Sequence, residues 1–185
     1  MADVKLFKGI DLIVKIGDLS AATTTPSILS TTPIVGHPYG IIVFQNEPTE
    51  IIVPTGKQFG LNRDKQGQKI YVFGGSENGQ EIETNGSVTG NLSAYMARSA
   101  ADDKLLDPAI AILKKAGETL NYQVWVKEYR PMAPAATGFY RYLVKAAVCN
   151  IKSKQEQQAE GNVIEIPFEL MGIGELYSGY VDVAI

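Results

Sequence analysis

The feature that most constrains this fold is an alternating stretch near the end of the chain. Its two interleaved sets are Ile164, Ile166, Phe168 and Leu170 on one side and Glu165, Pro167 and Glu169 on the other. Successive side chains of a strand point to opposite faces, so the first set predicts a core face and the second a face toward water or a partner. Pro167 cannot donate a ladder hydrogen bond, which predicts a sheet edge or a bulge. An open edge pairs readily with another chain, so we expect the second set to form a subunit-contact edge strand.

The length and composition predict one domain. The 185 residues, of which 45% are hydrophobic, fit a single core that buries roughly 70% of the surface of the unfolded chain. The formal net charge is −3 and no run of Lys or Arg exceeds two residues, which argues against stable binding to DNA or RNA. The single cysteine, Cys149, excludes an internal disulfide and is expected to be a small buried residue. No apolar stretch approaches the ~20 residues that span a bilayer, so we expect no membrane anchor.

The first half of the chain predicts strands that are separated by a long, loop-rich insertion. Alternating or apolar runs predict strands at residues 10–16, 41–44, 51–53 and 70–73. The second and third of these strands are expected to form a hairpin, because only a short turn-like segment connects them. The Thr-, Ser- and Pro-rich residues 19–38 and the polar, glycine-containing residues 56–67 favour loops. We therefore expect an insertion at about residues 19–79.

The second half predicts a more regular arrangement of strands around one helix. The predicted strands lie at residues 87–96, 122–129, 139–150 and from Val163 onward. The helix is expected to begin with Asp107 as its cap and Pro108 in its first turn, and to end at Gly117. Its apolar stripe consists of Leu106, Ala109, Ile110, Leu113 and Ala116. A helix this short is not stable alone in water, so it must pack on the sheet.

Residues that could carry catalysis or hold a metal are few and scattered. His37 is the only histidine, and no second histidine or nucleophile motif accompanies it. The Gly172-x-Gly174 segment follows a strand without opening a helix, so it predicts a turn that needs a permissive backbone and not a phosphate loop. Glu165 and Glu169 alternate on an exposed strand face, where carboxylates are normally solvated. We expect no catalytic residue, no metal and no cofactor.

Aromatic residues cluster in two neighbouring predicted strands. They are Tyr122, Trp125, Tyr129, Phe139, Tyr140 and Tyr142. Packing in a core or across strands explains this cluster better than a platform for stacking sugars.

The order of elements in the second half resembles the tail tube proteins of tailed bacteriophages. The similar segments are Asn85-Gly86-Ser87-Val88-Thr89-Gly90-Asn91-Leu92, the short helix ending near Gly117, the strands around Val124 and Val144, and Asn162 to Leu170 followed by Gly172-x-Gly174-Glu175-Leu176. The resemblance covers residues 85–180. It implies a mainly β fold, similar to a β-sandwich or barrel with one flanking α-helix and long loops. Residues 1–185 would then form a single tail-tube-like domain with the insertion at about 19–79.

The resemblance also implies a structural role. Members of this family are thought to form six-membered rings that stack into a hollow tube, through which DNA passes without specific binding. The implied partners are other copies of the chain and the tail tape measure, tail terminator and baseplate or tip proteins; the chain would be made in the host cytoplasm and reside in the virion tail. Glu165 and Glu169 are the candidates for lining the channel. The candidate loop for ring stacking consists of Gly56, Lys57, Gln58, Asn62, Arg63, Asp64 and Lys65.

Two other functions remain open from the sequence. The chain could be the tube component of a contractile injection or secretion machine, which would share the fold and deliver protein instead of DNA. It could also be a β-sandwich recognition module of the carbohydrate-binding or adhesin-like kind. That module needs a concave patch of exposed aromatic rings, whereas a tube subunit needs those rings packed. An enzyme ranks third because no convergent polar set is found.

Overall fold

The computed structural model describes residues 12–20, 22, 24–53, 56–63, 66–70, 80–84, 87–96, 107–134, 138–153, 157–158 and 164–184. Within them lie twelve strands and one helix. The strands are β1 (Ile13–Asp18), β2 (Ser27–Thr32), β3 (Ile41–Gln45), β4 (Glu50–Ile52), β5 (Gly56–Arg63), β6 (Gln66–Ile70), β7 (Gln80–Thr84), β8 (Val88–Met96), β9 (Gln123–Pro134), β10 (Phe139–Ser153), β11 (Gln157–Gln158) and β12 (Ile164–Ala184). The helix is α1 (Pro108–Glu118). The prediction of a mainly β fold with one helix is confirmed.

One large sheet is organised around the long closing strand β12. Its main path runs β2-β3-β12-β10-β9-β1-β4, and a branch adds β8 and then β5 beside the first half of β12. The described ladders are antiparallel except that between β3 and β12, where Tyr180 lies opposite Ile41. A separate two-stranded ladder joins β6 to β7. The strand β12 therefore has neighbours on both of its sides.

The short connection between β3 and β4 forces this sheet to curl. The two strands are five places apart along the sheet, which in a flat sheet corresponds to about 24 Å. The chain from Gln45 to Glu50 spans at most about 19 Å. The two strands can be joined only if the sheet rolls over on itself, and Phe44 of β3 indeed contacts Trp125 of β9 with ring centroids 5.5 Å apart. The result is a sheet that curls over on itself.

The helix α1 covers one face of the sheet. The Asp107 side chain accepts hydrogen bonds from the amides of Ala109 at 2.8 Å and Ile110 at 3.4 Å, as the cap prediction requires. The buried stripe consists of Ala109, Ile110, Leu113 and Ala116. The helix extends past Gly117 to Glu118, so the predicted end at the glycine is wrong. The Thr119 amide bonds to the Lys115 carbonyl at 3.0 Å and closes the last turn without a left-handed glycine.

Two predicted connections in the first half are also wrong. The strands β3 and β4 do not pair with each other, because β3 lies against β2 and β12 while β4 lies against β1. The predicted stacking loop is a strand up to Arg63, since Leu61 is fully buried and β5 pairs along β8. Asp64 and Lys65 of that predicted loop lie outside the described residues. The predicted insertion thus contains strands β2 to β6.

The predicted edge position of the closing strand is wrong as well. Residues 164–171 of β12 pair with β8, while β10 and β11 pair on the opposite side. The pairings Ser153 with Phe168 and Gln157 with Glu165 differ in register by one residue, and Pro167 lies between them. On the β8 side Pro167 lies opposite Ser93 within one unbroken register.

The predicted glycine turn is a bulge inside β12. The strand β10 pairs Ala146 with Tyr177 and Val148 with Ile173, so residues 174–176 face only Ala147. Gly174 has φ +81°, a conformation that side-chain-bearing residues rarely adopt. The bulge lets β12 bend and continue to Ala184, which explains how one strand serves both halves of the sheet.

Candidate functional site

The strands β10, β12, β8 and β5 form an antiparallel sheet with one buried and one outward face. On the buried face, Ile166 and Leu170 are 0% exposed and Phe168 is 1% exposed. On the other face, Glu165, Pro167 and Glu169 are each partly exposed. The predicted division of this strand into a core face and an outward face is confirmed. We call the second surface the outward sheet face; it comprises the side chains of Asn62, Thr89, Asn91, Ser93, Asn150, Lys152, Glu165, Pro167, Glu169, Met171 and Ile173.

Register places polar neighbours around the predicted carboxylates. Glu169 lies opposite Asn91 of β8 and Lys152 of β10. The described side chains of the outward sheet face carry two carboxylates, one ammonium group and several amides and hydroxyls. Cross-strand neighbours of opposite charge attract modestly. The surface is therefore polar and weakly acidic, and it offers no cluster of cations that would hold a phosphate backbone.

Two apolar side chains interrupt this polar surface. Met171 and Ile173 are each 41% exposed and follow Glu169 on the same side of β12. Sequence reasoning assigned only the carboxylates and Pro167 to this surface. The neighbours Asn62, Asn91 and Lys152 come from three other strands, and only the register of the sheet reveals them.

Three of the six residues of the predicted aromatic cluster pack inside the protein, whereas Phe139 is 42% exposed. Trp125 is 0% exposed, and Tyr122 and Tyr129 are 6% exposed. The ring of Trp125 meets Phe44 edge-on and lies 6.1 Å from Tyr177. Burial and a 2.6 Å hydrogen bond from its hydroxyl to Asp18 raise the pKa of Tyr122. These rings lack the exposure that a sugar-stacking platform needs.

A buried charge network closes the curled part of the sheet. Lys127 is 4% exposed, and its Nζ lies 2.6 Å from Glu47 Oε1 and 2.9 Å from Glu50 Oε1. Burial alone would lower the pKa of Lys127, but hydrogen bonds to Glu47, Tyr129 and Glu50 outweigh it and raise the pKa above its ordinary value. Glu47 belongs to the connection between β3 and β4, and Glu50 is the first residue of β4. The network therefore fastens that connection over the sheet.

The described side chains contain no group of three or more His, Cys, Asp and Glu residues that could hold a metal ion. His37 packs edge-on against Tyr180 with centroids 5.7 Å apart. Cys149 is buried, which raises the pKa of its thiol to about 12. Across the described part of the chain, no helix has the length and apolar character to cross a membrane.

The described ladders leave free strand edges at places that the sequence did not predict, and β4, which pairs only with β1, is one of them. Among the described residues, β2 and β5 each have a partner on one side only. The strand β10 pairs with β9 as far as Asn150, so no described residue pairs with residues 151–153 on that side. The edge of β2, Ser27–Thr32, contains no charge and no proline, and Leu29 in it is 61% exposed. Proteins usually protect such edges with charges or proline, so this edge is suited to pairing with another chain.

No protein-family model matches the sequence, and no curated protein matches it.

Proposed function

We propose that this chain is the structural subunit of a bacteriophage tail tube, which assembles into stacked hexameric rings around a channel for DNA. The observation that carries the proposal is the four-stranded sheet of β10, β12, β8 and β5. It combines a polar outward face with two edges that have no partner among the described residues, one along β5 and a short one at residues 151–153 of β10, beyond the end of its ladder with β9. The buried aromatic rings favour a tube subunit over a recognition module.

The strand directions support ring formation by edge pairing. Each neighbour in the order β10, β12, β8 and β5 is antiparallel to the next, so β5 runs opposite to β10. The β5 of one copy can therefore join residues 151–153 of the next copy as an ordinary antiparallel ladder. Head-to-tail contacts of this kind form a closed ring when the rotation from one subunit to the next divides a full turn into a whole number of steps. The ring contact thus falls on β5 and β10, and not on the interior strand β12.

The outward sheet face would line the channel. Its carboxylates, Glu165 and Glu169, repel phosphates, and Lys152 lies beside Glu169 and not in a basic cluster. Binding to DNA grows with the number of cations that contact phosphate, so a weakly acidic wall lets DNA slide past. The proposed partners are other copies of the chain and the tape measure, terminator and baseplate or tip proteins of a tail. DNA passes without specific binding, and the subunit resides in the virion tail.

The hairpin of β2 and β3 is suited to contacts between rings. Val35 at its tip is 100% exposed, and Val43 is 47% exposed. Exposed apolar side chains beside an uncharged edge gain contacts only from a neighbour. This hairpin takes the stacking role that the sequence had suggested for residues 56–65.

Self-association tests the proposal. We expect the purified chain to show light scattering that rises with concentration, and rings or tubes in negative-stain electron micrographs, with assembly accelerated by a tail initiator complex. Amide hydrogen exchange should slow in Ser27–Thr32 upon assembly. A chain that stays monomeric under all these conditions and binds a glycan specifically would overturn the proposal in favour of a recognition module.

A second candidate is the tube of a contractile injection or secretion machine. The exposed Met171 and Ile173 favour it, because an apolar patch suits a protein cargo better than DNA. Electron microscopy of intact particles separates the two candidates: the tail tube joins a DNA-filled capsid, and the injection tube does not.

A further inference from the structure

A cavity lies beside the C-terminal end of α1, where the chain leaves the helix and enters β9. Its volume is about 340 Å³, and its lining residues include Glu118, Leu120, Tyr122, Asn150 and Met171. An apolar cavity of roughly 150 Å³ already holds a guest the size of benzene, so this one has room for an aliphatic side chain. Leu120 is 89% exposed and Met171 is 41% exposed. Apolar parts of the wall therefore face solvent in the free subunit.

The polar part of the wall offers hydrogen-bond acceptors. The last carbonyl groups of a helix lack partners within the helix itself. The helix α1 ends at Glu118, whose carboxylate adds a further acceptor. The Oδ1 atom of Asn150 is buried and has no hydrogen-bond partner in the structure. A guest that fits this cavity combines an apolar side chain with N–H donors.

The turn of the β2–β3 hairpin has this combination. The His37 amide donates to the Ile34 carbonyl at 3.2 Å, and Gly36 has φ +77°, as a type II β-turn requires. Val35 stands at the apex and is 100% exposed. The bond of the turn uses only its last amide, so the amides of Val35 and Gly36 remain able to donate to a partner. Residues 19–44 contain no Asp, Glu, Lys or Arg, so the hairpin brings no carboxylate that the cavity would repel.

The turn and the cavity lie at different heights of the sheet. The His37 ring contacts Tyr180 with centroids 5.7 Å apart, and Met171 lines the cavity. The β10 partners of Tyr180 and Met171 are Leu143 and Asn150. A strand covers about 23 Å between residues 143 and 150. The turn and the cavity are therefore separated by most of the length of β10.

The course of β3 shows which way the turn points. Phe44 contacts Tyr177 with ring centroids 6.1 Å apart, and Tyr177 is nearer to the cavity than Tyr180 is. The hairpin therefore approaches the cavity through Phe44 and places its turn at the far end. Edge pairing within a ring aligns the strands with the ring axis, at the tilt that strands take in a closed barrel. The two ends of β10 consequently face the rings on either side.

We propose that the cavity at the end of α1 receives the Val35 turn of a second copy of this chain in the adjacent ring. The Val35 side chain packs on Leu120 and Met171, and a backbone amide at the apex of the turn donates to the Oδ1 atom of Asn150. This inference rests on the proposed tube function and assigns the contact that joins one ring to the next.

The docked turn leaves room for the contact within a ring. Of residues 151–153 in β10, only Ile151 lines the cavity. The backbone of residues 152–153 stays open to the β5 strand of the neighbour in the same ring. One subunit can therefore make both contacts, and two heterologous contacts of different direction build a stacked tube.

A charge introduced at the apex tests the contact. We expect Val35→Glu to raise the concentration at which rings stack by about tenfold or more, because it places a carboxylate beside Glu118 in a desolvated contact. Val35 is 100% exposed, so the variant should fold. Adding Glu118→Lys should restore stacking. Normal stacking of Val35→Glu, or no recovery in the double variant, would overturn the inference, while tubes of the unchanged chain would leave the tube proposal intact.

Ile52→Glu is the matched control for the charge. Ile52 is an apolar side chain with 55% exposure. Its row across the sheet runs through Lys15 and Lys127 to Ala146, which lies between the heights of the turn and the cavity. We expect Ile52→Glu to stack as the unchanged chain does. An equal loss of stacking in Ile52→Glu would mean that added charge opposes assembly wherever it is placed, and the Val35 contact would lose its support.

Disulfide cross-linking tests which residues meet. Cys149 is buried and its pKa is raised to about 12, so it stays protonated and unreactive at neutral pH. We expect Val35→Cys subunits mixed with Leu120→Cys subunits to form disulfide-linked dimers under mild oxidation in tubes, and to stay monomeric as free subunits or separate rings. Tubes without this cross-link would overturn the cavity contact alone. Failure of the unchanged chain to form rings or tubes would overturn the tube proposal, and the cavity contact with it.

Discussion

The two buried clusters of this protein are stabilised in different ways. The larger cluster, under α1, is built mainly from aliphatic and small residues such as Ile16, Leu92 and Ile166, with the rings of Tyr122 and Phe168 among them. The smaller cluster, on the opposite face of β9 and β10, is built around Trp125 and Tyr129, with Lys127 fixed beside them by two carboxylates. Aliphatic packing tolerates exchange of similar side chains, whereas a buried charge depends on particular partners. The comparison indicates that the larger cluster stabilises the fold through exchangeable apolar packing. The smaller cluster depends in addition on the particular ion pairs of Lys127.

The larger cluster should be the more sensitive to an inserted charge. Ile166→Asp places a carboxylate at a position with 0% exposure. We expect a loss of about 4 kcal/mol or more and mostly insoluble protein, because no cation is available to pair with the new charge. Urea unfolding, or the soluble fraction after expression, measures the effect. Ile166→Val is the matched control and should cost only about 1 kcal/mol. A soluble Ile166→Asp variant of normal stability would show that the register of β12 is wrong.

The smaller cluster should respond most to loss of its cation. Lys127→Met keeps the apolar stem but leaves Glu47 and Glu50 beside the aromatic rings. We expect a loss of about 3 kcal/mol, because breaking a buried pair strands the remaining charges. The loss is not expected to be larger, because Glu47 remains partly exposed to solvent. Urea unfolding measures the change in the free energy of unfolding.

A second variant shows whether the loss comes from the pair itself. Adding Glu47→Gln and Glu50→Gln to Lys127→Met should recover part of the stability, since the stranded charges are removed. If the triple variant is no more stable than Lys127→Met, the cluster is held by packing and the contrast with the larger cluster disappears.

High pH should weaken both clusters. Burial raises the pKa of Cys149, in the larger cluster, from 9.0 to about 12, and the pKa values of Lys127 and Tyr129, in the smaller cluster, are raised as well. In the unfolded chain these groups lose their protons at lower pH than in the folded chain. Their contribution to stability is therefore complete below the unfolded pKa and is lost as pH rises toward the folded value.

The thiol part of this loss can be isolated. Between pH 9 and 12 we expect Cys149 alone to reduce the free energy of unfolding by about 1.4 kcal/mol per pH unit. Urea unfolding at several pH values measures the slope, and Cys149→Ala should make it shallower by that amount. An unchanged slope in Cys149→Ala would mean that the thiol is not buried as described.

The difference between local and long-range interactions explains which features the sequence could predict. Alternation located the two faces of β12, and the cap at Asp107 located the start of α1, because both signals lie within a few neighbouring residues. The pairing of β3 with β12, and the contact of Glu47 with Lys127, join residues that are far apart in the chain. Periodicity carries no information about such partners. The closing strand was therefore assigned to an edge, although β8 covers it.

The same limit applies to the candidate site. Glu165 and Glu169 were assigned to the outward sheet face from their spacing alone. Lys152 and Asn91 reach that face only through strand register, and the free edges of β5 and β10 become visible only once all ladders are known. A bulge such as that at Gly174 resembles a turn in sequence, since both require a permissive backbone.

The smallest effect should come from a residue that belongs to neither cluster. Glu165 precedes Ile166 in β12 but lies on the outward sheet face. We expect Glu165→Ala to change the free energy of unfolding by no more than about 0.5 kcal/mol, because a partly exposed strand position keeps its backbone ladder when the side chain is shortened. Urea unfolding of Glu165→Ala and Ile166→Asp under the same conditions measures the two changes in the free energy of unfolding. A loss as large as that of Ile166→Asp would mean that both sides of β12 are packed, and the outward sheet face would then not be available to line a channel.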